Sequence, residues 1–123
     1  MLSGIKILIT EDKKINQEIL IGILEGSGLE IDIACNGKEA VQRCRDKEYS
    51  LILMDIEMPV MDGYEATKII REENLNIPII ALTANNTIED RDKTESIGMN
   101  AHLSKPIEPK LLYQTFSKYI NVA

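Results

Sequence analysis

Five times along this chain an apolar run of strand length is followed by apolar residues at helical spacing, and that alternation admits few folds. Ile5–Ile9 reads as a strand. Ile15, Ile19, Leu20, Ile23 and Leu24 then recur with the period of a helix, which Gly26-Ser27-Gly28 stops. Glu30–Ala34 alternates polar and apolar, as a half-exposed strand does, and Asn36-Gly37 turns the chain into a helix carrying Ala40, Val41 and Cys44. Leu51–Met54 is unbroken and ends at Asp55. Met58-Pro59 and Asp62-Gly63 mark a loop, after which Ala66, Ile69 and Ile70 line a third helix. Ile77–Leu82 ends at Thr83, with Pro78 near its start, where a strand tolerates proline best. Ile88–Ile97 reads as a mostly polar helix closed by Gly98, and Ala101–Ser104 as a short strand before Lys105-Pro106. A last helix carries Leu111, Leu112, Thr115, Phe116, Tyr119 and Ile120.

Repeated βα units predict an α/β fold, a doubly wound parallel sheet with helices on both faces. At 123 residues, without repeat or linker, the chain reads as one domain spanning 1–123. Strands buried on both faces are continuous apolar runs, whereas edge strands alternate. The first, third and fourth runs are nearly unbroken, while the second and fifth are short or alternating. That pattern predicts the strand order 2-1-3-4-5, a flavodoxin-like three-layer sandwich.

In such a sheet the carboxyl ends of the strands share one rim, where ligands bind at the switch in strand order. Here those ends carry Glu11-Asp12, Asp55, Thr83 and Lys105. A single polar residue after a strand is ordinarily a solvated loop residue; these five together form a working chemical set. Glu11, Asp12 and Asp55 bring about three negative charges and Lys105 returns one, leaving roughly two for a Mg²⁺ ion with hard oxygen ligands. Without a cation the three carboxylates repel one another and resist full ionisation. Asp55 is then a carboxylate nucleophile able to form an aspartyl phosphate. Lys105 supplies a positive point charge to phosphoryl oxygens, and Thr83 a hydroxyl within reach of them.

Glu11-Asp12, Asp55 with Met58-Pro59 and Asp62-Gly63 behind it, Thr83-Ala84, and Lys105-Pro106 together resemble the receiver domain of two-component response regulators, over essentially the whole chain. The resemblance implies that Asp55 is phosphorylated by a phosphohistidine on a histidine kinase or histidine phosphotransfer protein. It implies that Asp12 and Asp55 ligate Mg²⁺ directly, Glu11 through water, and the backbone carbonyl of Glu57 completes the set. Thr83 and Lys105 would bind the phosphoryl group, and the Lys105-Pro106 bond would be cis. No outside substrate is implied, since such domains catalyse their own phosphorylation and dephosphorylation. The stretch from Gly98 to Ile107 resembles receivers attached to hybrid sensor histidine kinases; a free-standing regulator is the other reading.

Receivers usually carry Tyr or Phe three residues before the lysine, and His102 stands there instead. It reads either as a histidine packed at an edge strand or as a pH sensor, and the aromatic relay is left open. Glu57 and Asn85 read either as exposed loop residues or as groups that tune the access of water to the acyl phosphate. The polar fourth helix is expected to shift when Thr83 moves toward a phosphate. The apolar arc of the first helix, from Ile15 round to Leu24, is wider than core packing requires, which makes Ile15 and Asn16 candidates for docking a phosphotransfer helix.

Other classes fit less well. A phosphatase of the haloacid dehalogenase type also combines Asp, Thr or Ser, Lys and Mg²⁺, but places its nucleophile after the first strand and needs a longer chain. A flavodoxin or dinucleotide module would need a glycine cradle where Thr10-Glu11-Asp12-Lys13-Lys14 stands. A receiver-like scaffold without chemistry is disfavoured because the whole chemical set is present. A net charge of −6 argues against nucleic-acid backbones as partners. No run is apolar for long enough to span a bilayer, and no signal pattern opens the chain. Cys35 and Cys44 read as reduced thiols. The expected location is the cytoplasm, alone or as the cytoplasmic part of a membrane sensor kinase.

Overall fold

A computed structural model describes residues 4–73, 75–84 and 87–120. Strands and helices alternate throughout: β1 (Lys6–Thr10), α1 (Lys14–Leu24), β2 (Glu30–Ala34), α2 (Gly37–Asp46), β3 (Leu51–Asp55), α3 (Gly63–Glu72), β4 (Ile79–Thr83), α4 (Ile88–Ile97), β5 (Ala101–Ser104) and α5 (Pro109–Tyr119). The five strands form one parallel sheet in the order β2-β1-β3-β4-β5, as the run patterns predict. Every residue of β3 and β4 is buried, whereas β2 is half exposed, the difference between central and edge strands. Pro78 lies one residue before β4 and serves it from outside, its carbonyl accepting from Ile52 N at 2.9 Å. A proline there costs no ladder hydrogen bond.

Alternate side chains of the strands build two cores. Ile7, Ile9, Leu51, Leu53, Ile80 and Leu82 pack under α1 and α5 with Leu20, Leu24, Leu112 and Phe116. Leu8, Ile52, Met54, Ile79 and Ala81 face the other way, with Ala40, Val41, Ala66 and Ile70 of α2 and α3. The arc on α1 splits accordingly: Leu20 and Leu24 are buried, but Ile15 and Ile19 are 67% and 52% exposed. The helical spacing of those two isoleucines reflects a second apolar face that turns to solvent.

Three helices open on side-chain caps. Asn36, Asp62 and Thr87 accept from the backbone N–H three residues on, at 2.9, 2.9 and 3.1 Å, each worth about 1 kcal/mol. Helix α1 differs, because its leading residue Lys13 makes no side-chain cap. Between β3 and α3 the chain folds tightly. Met61 N donates to Pro59 O at 2.7 Å around Val60, which is held at φ 70° and is 79% exposed. A Cβ at Gly63 would collide with the carbonyl oxygen of Asp55, and one at Gly37 would stand 2.6 Å from Met61 O. Only glycine allows these approaches.

At the opposite rim, where strands begin, Arg71 near the end of α3 ties three segments together. Its guanidinium donates to Gly98 O at 3.0 Å, Leu75 O at 2.7 Å and Asn100 Oδ1 at 2.9 Å. Asn100 Oδ1 also accepts from Ile79 N at 2.9 Å, and Tyr119 Oη donates to Asn100 O at 2.9 Å. Gly98, at φ 108°, closes α4 in the left-handed conformation that favours glycine.

Candidate functional site

The register of the sheet brings the ends of β1, β3, β4 and β5 onto one rim, and the polar residues there meet in space. Glu11 follows β1 and is fully buried, and Asp55 closes β3 with 4% exposure. Lys105 reaches back from beyond β5, its Nζ 3.1 Å from Glu11 Oε2 and 3.1 Å from Asp55 Oδ2. Carboxylate oxygens of Glu11, Asp12 and Asp55 all lie within 4.8 Å of one another. The Lys105-Pro106 peptide is cis.

The acids are held unequally. Glu11 Oε1 accepts from Lys13 N at 3.2 Å and Asn16 Nδ2 at 3.4 Å, which ties its side chain to the start of α1. Its backbone carbonyl accepts from Gln17 Nε2 at 2.7 Å. Asp55 Oδ1 accepts from Glu57 N at 3.3 Å. Asp12 Oδ1 is buried and has no partner. A buried carboxylate oxygen without a donor is costly, and three clustered carboxylates supply only hard oxygen ligands, which suits a magnesium-sized cation.

Titration follows from this inequality. Burial works against the charge of Glu11, but the Lys105 hydrogen bond, the Lys13 amide and the Lys105 charge prevail and hold its pKa below the ordinary value. Burial and the charge of Glu11 push Asp55 up to about 6 against the pull of Lys105. Burial also opposes the charge on Lys105, yet its bond to Glu11 and the charge of Asp55 hold its pKa above the ordinary value. Glu11 is thus the fixed anion, and Asp55 is the carboxylate most in need of a further positive charge.

Thr83 closes β4, is buried, and accepts from Lys105 N through its carbonyl at 2.8 Å. With Asp55, Glu57, Ala84, Lys13 and Lys105 it lines a recess of about 90 Å³, the right order of size for one phosphoryl group. Glu57 points its side chain to solvent. A wider cleft of about 590 Å³ continues past Asp12, Met58 and Asp62 toward α4, where Lys93 Nζ sits 4.2 Å above the Tyr64 ring. His102 is partly buried on edge strand β5, and burial with the charge of Arg91 holds its pKa below the ordinary value. Asn85 lies outside the described residues.

The structure therefore brings Glu11, Asp12, Asp55, Thr83 and Lys105 to one place. Two neighbours escaped the reading of the sequence. Gln17 reads as an ordinary polar position of α1, because its partner is the main-chain oxygen of Glu11. The contact of Lys93 with Tyr64 joins helices remote in sequence and leaves no local signature. Among the described residues no helix is long and apolar enough to cross a membrane.

Comparison with known proteins points one way. The sequence model of the response regulator receiver domain matches residues 7–117. Hybrid signal transduction histidine kinase B of Dictyostelium discoideum is 42% identical over 130 residues, covering 94% of this chain and 7% of that protein. The chain spans only a small part of the curated relatives it matches. The receiver domain of a sensor histidine kinase from Pseudomonas aeruginosa, solved with a magnesium ion in its active site cleft, superposes with TM-score 0.87 at 38% identity, covering 96% of this chain and 98% of that one. The receiver domain of the Saccharomyces cerevisiae response regulator Ssk1, solved with the histidine phosphotransfer protein Ypd1, gives TM-score 0.89 at 35% identity, covering 95% and 89%.

Proposed function

The chain belongs to the response regulator receiver domain family, and on that premise we propose that Asp55 takes a phosphoryl group from a partner phosphohistidine and that Lys105 and Thr83 read the change. The observation that carries the reading is the union of a nucleophile and an unfilled need. Asp55 Oδ2 lies 3.1 Å from Lys105 Nζ, beside the partnerless Asp12 Oδ1.

In the transfer, an oxygen of Asp55 attacks phosphorus as the P–N bond to the donor imidazole breaks, and the bonding pair leaves with the ring nitrogen. Lys105, already bridging Glu11 and Asp55, keeps a positive charge beside the oxygens where negative charge gathers. Glu11 holds that lysine in place through Oε2, while its other oxygen is secured by α1. Asp12 and Asp55, with the Glu57 carbonyl and Glu11 through water, would hold Mg²⁺, which supplies charge neutralisation for the phosphoryl oxygens. Thr83 offers its hydroxyl to the new group at the mouth of β4, and its movement would be passed to α4. Ile15, exposed in the first turn of α1, and Asn16 beside it, whose amide reaches Glu11, are the docking face for a histidine phosphotransfer protein or kinase. Residues 1–123 act as one receiver domain, in the cytoplasm, as a part of a hybrid histidine kinase. Fold match to the Ssk1 receiver, solved with its phosphotransfer protein, supports that partner class.

The test is incubation with acetyl phosphate and MgCl₂ followed by intact mass, with a phosphohistidine protein as second donor. The wild type should gain one base-labile, hydroxylamine-sensitive phosphoryl group and Asp55→Asn none. No gain from either donor would overturn the reading.

A further inference from the structure

We propose that Gln17 is a positioning residue for the cation site: its side-chain amide fixes the peptide that joins Glu11 to Asp12, and so aims Asp12 at the metal. The inference rests on the reading of Asp55 as phosphoacceptor. The Gln17 Nε2 bond to Glu11 O is 2.7 Å, the shortest contact α1 makes with the acidic pair. That carbonyl belongs to the same planar peptide as the N–H of Asp12, so the bond fixes the orientation of the unit on which Asp12 begins.

The contrast between the two acids gives the bond its weight. Glu11 is tied at every polar atom: N to Ala34 O at 3.0 Å, O to Gln17, Oε1 to Lys13 and Asn16, and Oε2 to Lys105. Asp12 Oδ1 is tied to nothing, although it is buried. Its direction is therefore set by the backbone, and Gln17 holds that backbone. The second neighbour of the amide, Cys35 Sγ at 4.0 Å, is a weak acceptor, so the Glu11 carbonyl sets the aim of Gln17. Residues that orient metal ligands in this way commonly change metal affinity about 10-fold or more on removal.

Gln17→Met keeps the length of the side chain and deletes the donor. Titration calorimetry with MgCl₂ should show the dissociation constant raised by roughly 10-fold, with faster amide exchange at Asp12 and Lys13 in metal-free protein. Phosphorylation by acetyl phosphate at saturating Mg²⁺ should stay within about twofold of wild type, because the tether acts on metal placement. A dissociation constant within about twofold of wild type, beside a lowered melting temperature, would reduce Gln17 to a helix-packing residue and overturn the proposal. Should Gln17→Met not fold, Gln17→Asn, whose amide is too short to reach, carries the same comparison. Wild-type protein that binds no Mg²⁺ and gains no phosphoryl group would instead sink the functional reading, which keeps the two failures apart.

Discussion

Two cationic side chains stand at opposite rims of the same sheet, and their surroundings differ in kind. Arg71, at the rim where strands begin, gives its hydrogen bonds to two carbonyls and an amide oxygen, all neutral and all close. Lys105, at the rim where strands end, is shared between two carboxylates beside a third whose oxygen has no partner. The Arg71 guanidinium is satisfied by neutral acceptors, and its bonds hold α3, α4 and β5 together. The Lys105 rim carries excess negative charge, an orphan acceptor and, in Val60, a strained backbone. Stability sits at one end and reactivity at the other, so removing a group should have opposite signs at the two ends.

The largest effect should come from breaking the satisfied end. Arg71→Met takes the guanidinium donor from the Gly98 and Leu75 carbonyls, leaves Asn100 Oδ1 with Ile79 N alone, and should destabilise the domain by about 3 kcal/mol, read from denaturant unfolding. A loss below about 0.5 kcal/mol would erase the contrast. Next in size is a removal at the reactive end. Asp55→Asn should stabilise the metal-free protein by about 1–3 kcal/mol at pH 7, because it deletes a carboxylate whose ionisation the fold resists. Asp55 is raised from 3.8 to about 6 in the fold, so its favourable contribution is complete below pH 4 and is lost as pH rises through 6. The advantage of the variant should therefore grow between pH 4 and 7 and shrink when Mg²⁺ stabilises the wild type. An advantage that is flat with pH would remove Asp55 as the source of the strain. The smallest effect is Val60→Gly. It relieves a β-branched residue at φ 70° but adds unfolded-chain entropy, for a net gain of about 0.5 kcal/mol in thermal unfolding.

The same contrast explains what the sequence made legible. Strand order and the chemical rim could be read because burial on two faces leaves unbroken runs, and because a parallel topology must gather Asp12, Asp55, Thr83 and Lys105 at one edge. Arg71 could not. A basic residue in the last turn of a helix ordinarily meets solvent and the helix dipole, and its partners Gly98 and Asn100 lie 27 and 29 residues on. Periodicity also could not divide the isoleucines of α1 between core and solvent, since Ile15 and Leu20 belong to one apolar arc until the sheet beneath it is placed. Gln17 was hidden differently, because its partner is a main-chain oxygen that every sequence contains.

The glycines at the start of α2 and α3 have a consequence for anyone who grafts pieces of this domain. Gly63 lets α3 rest on the carbonyl of Asp55, and Gly37 lets α2 rest on the carbonyls of Met61 and Asp62. Strand β3, its loop and the leading ends of two helices are thus cut to one another with no room for a methyl group. A chimera that exchanges the loop alone, or α3 with any larger residue at 63, breaks that fit and shifts the nucleophile. The transplantable cassette runs from Gly37 through Gly63 and onward into α3, and a designer should move it whole.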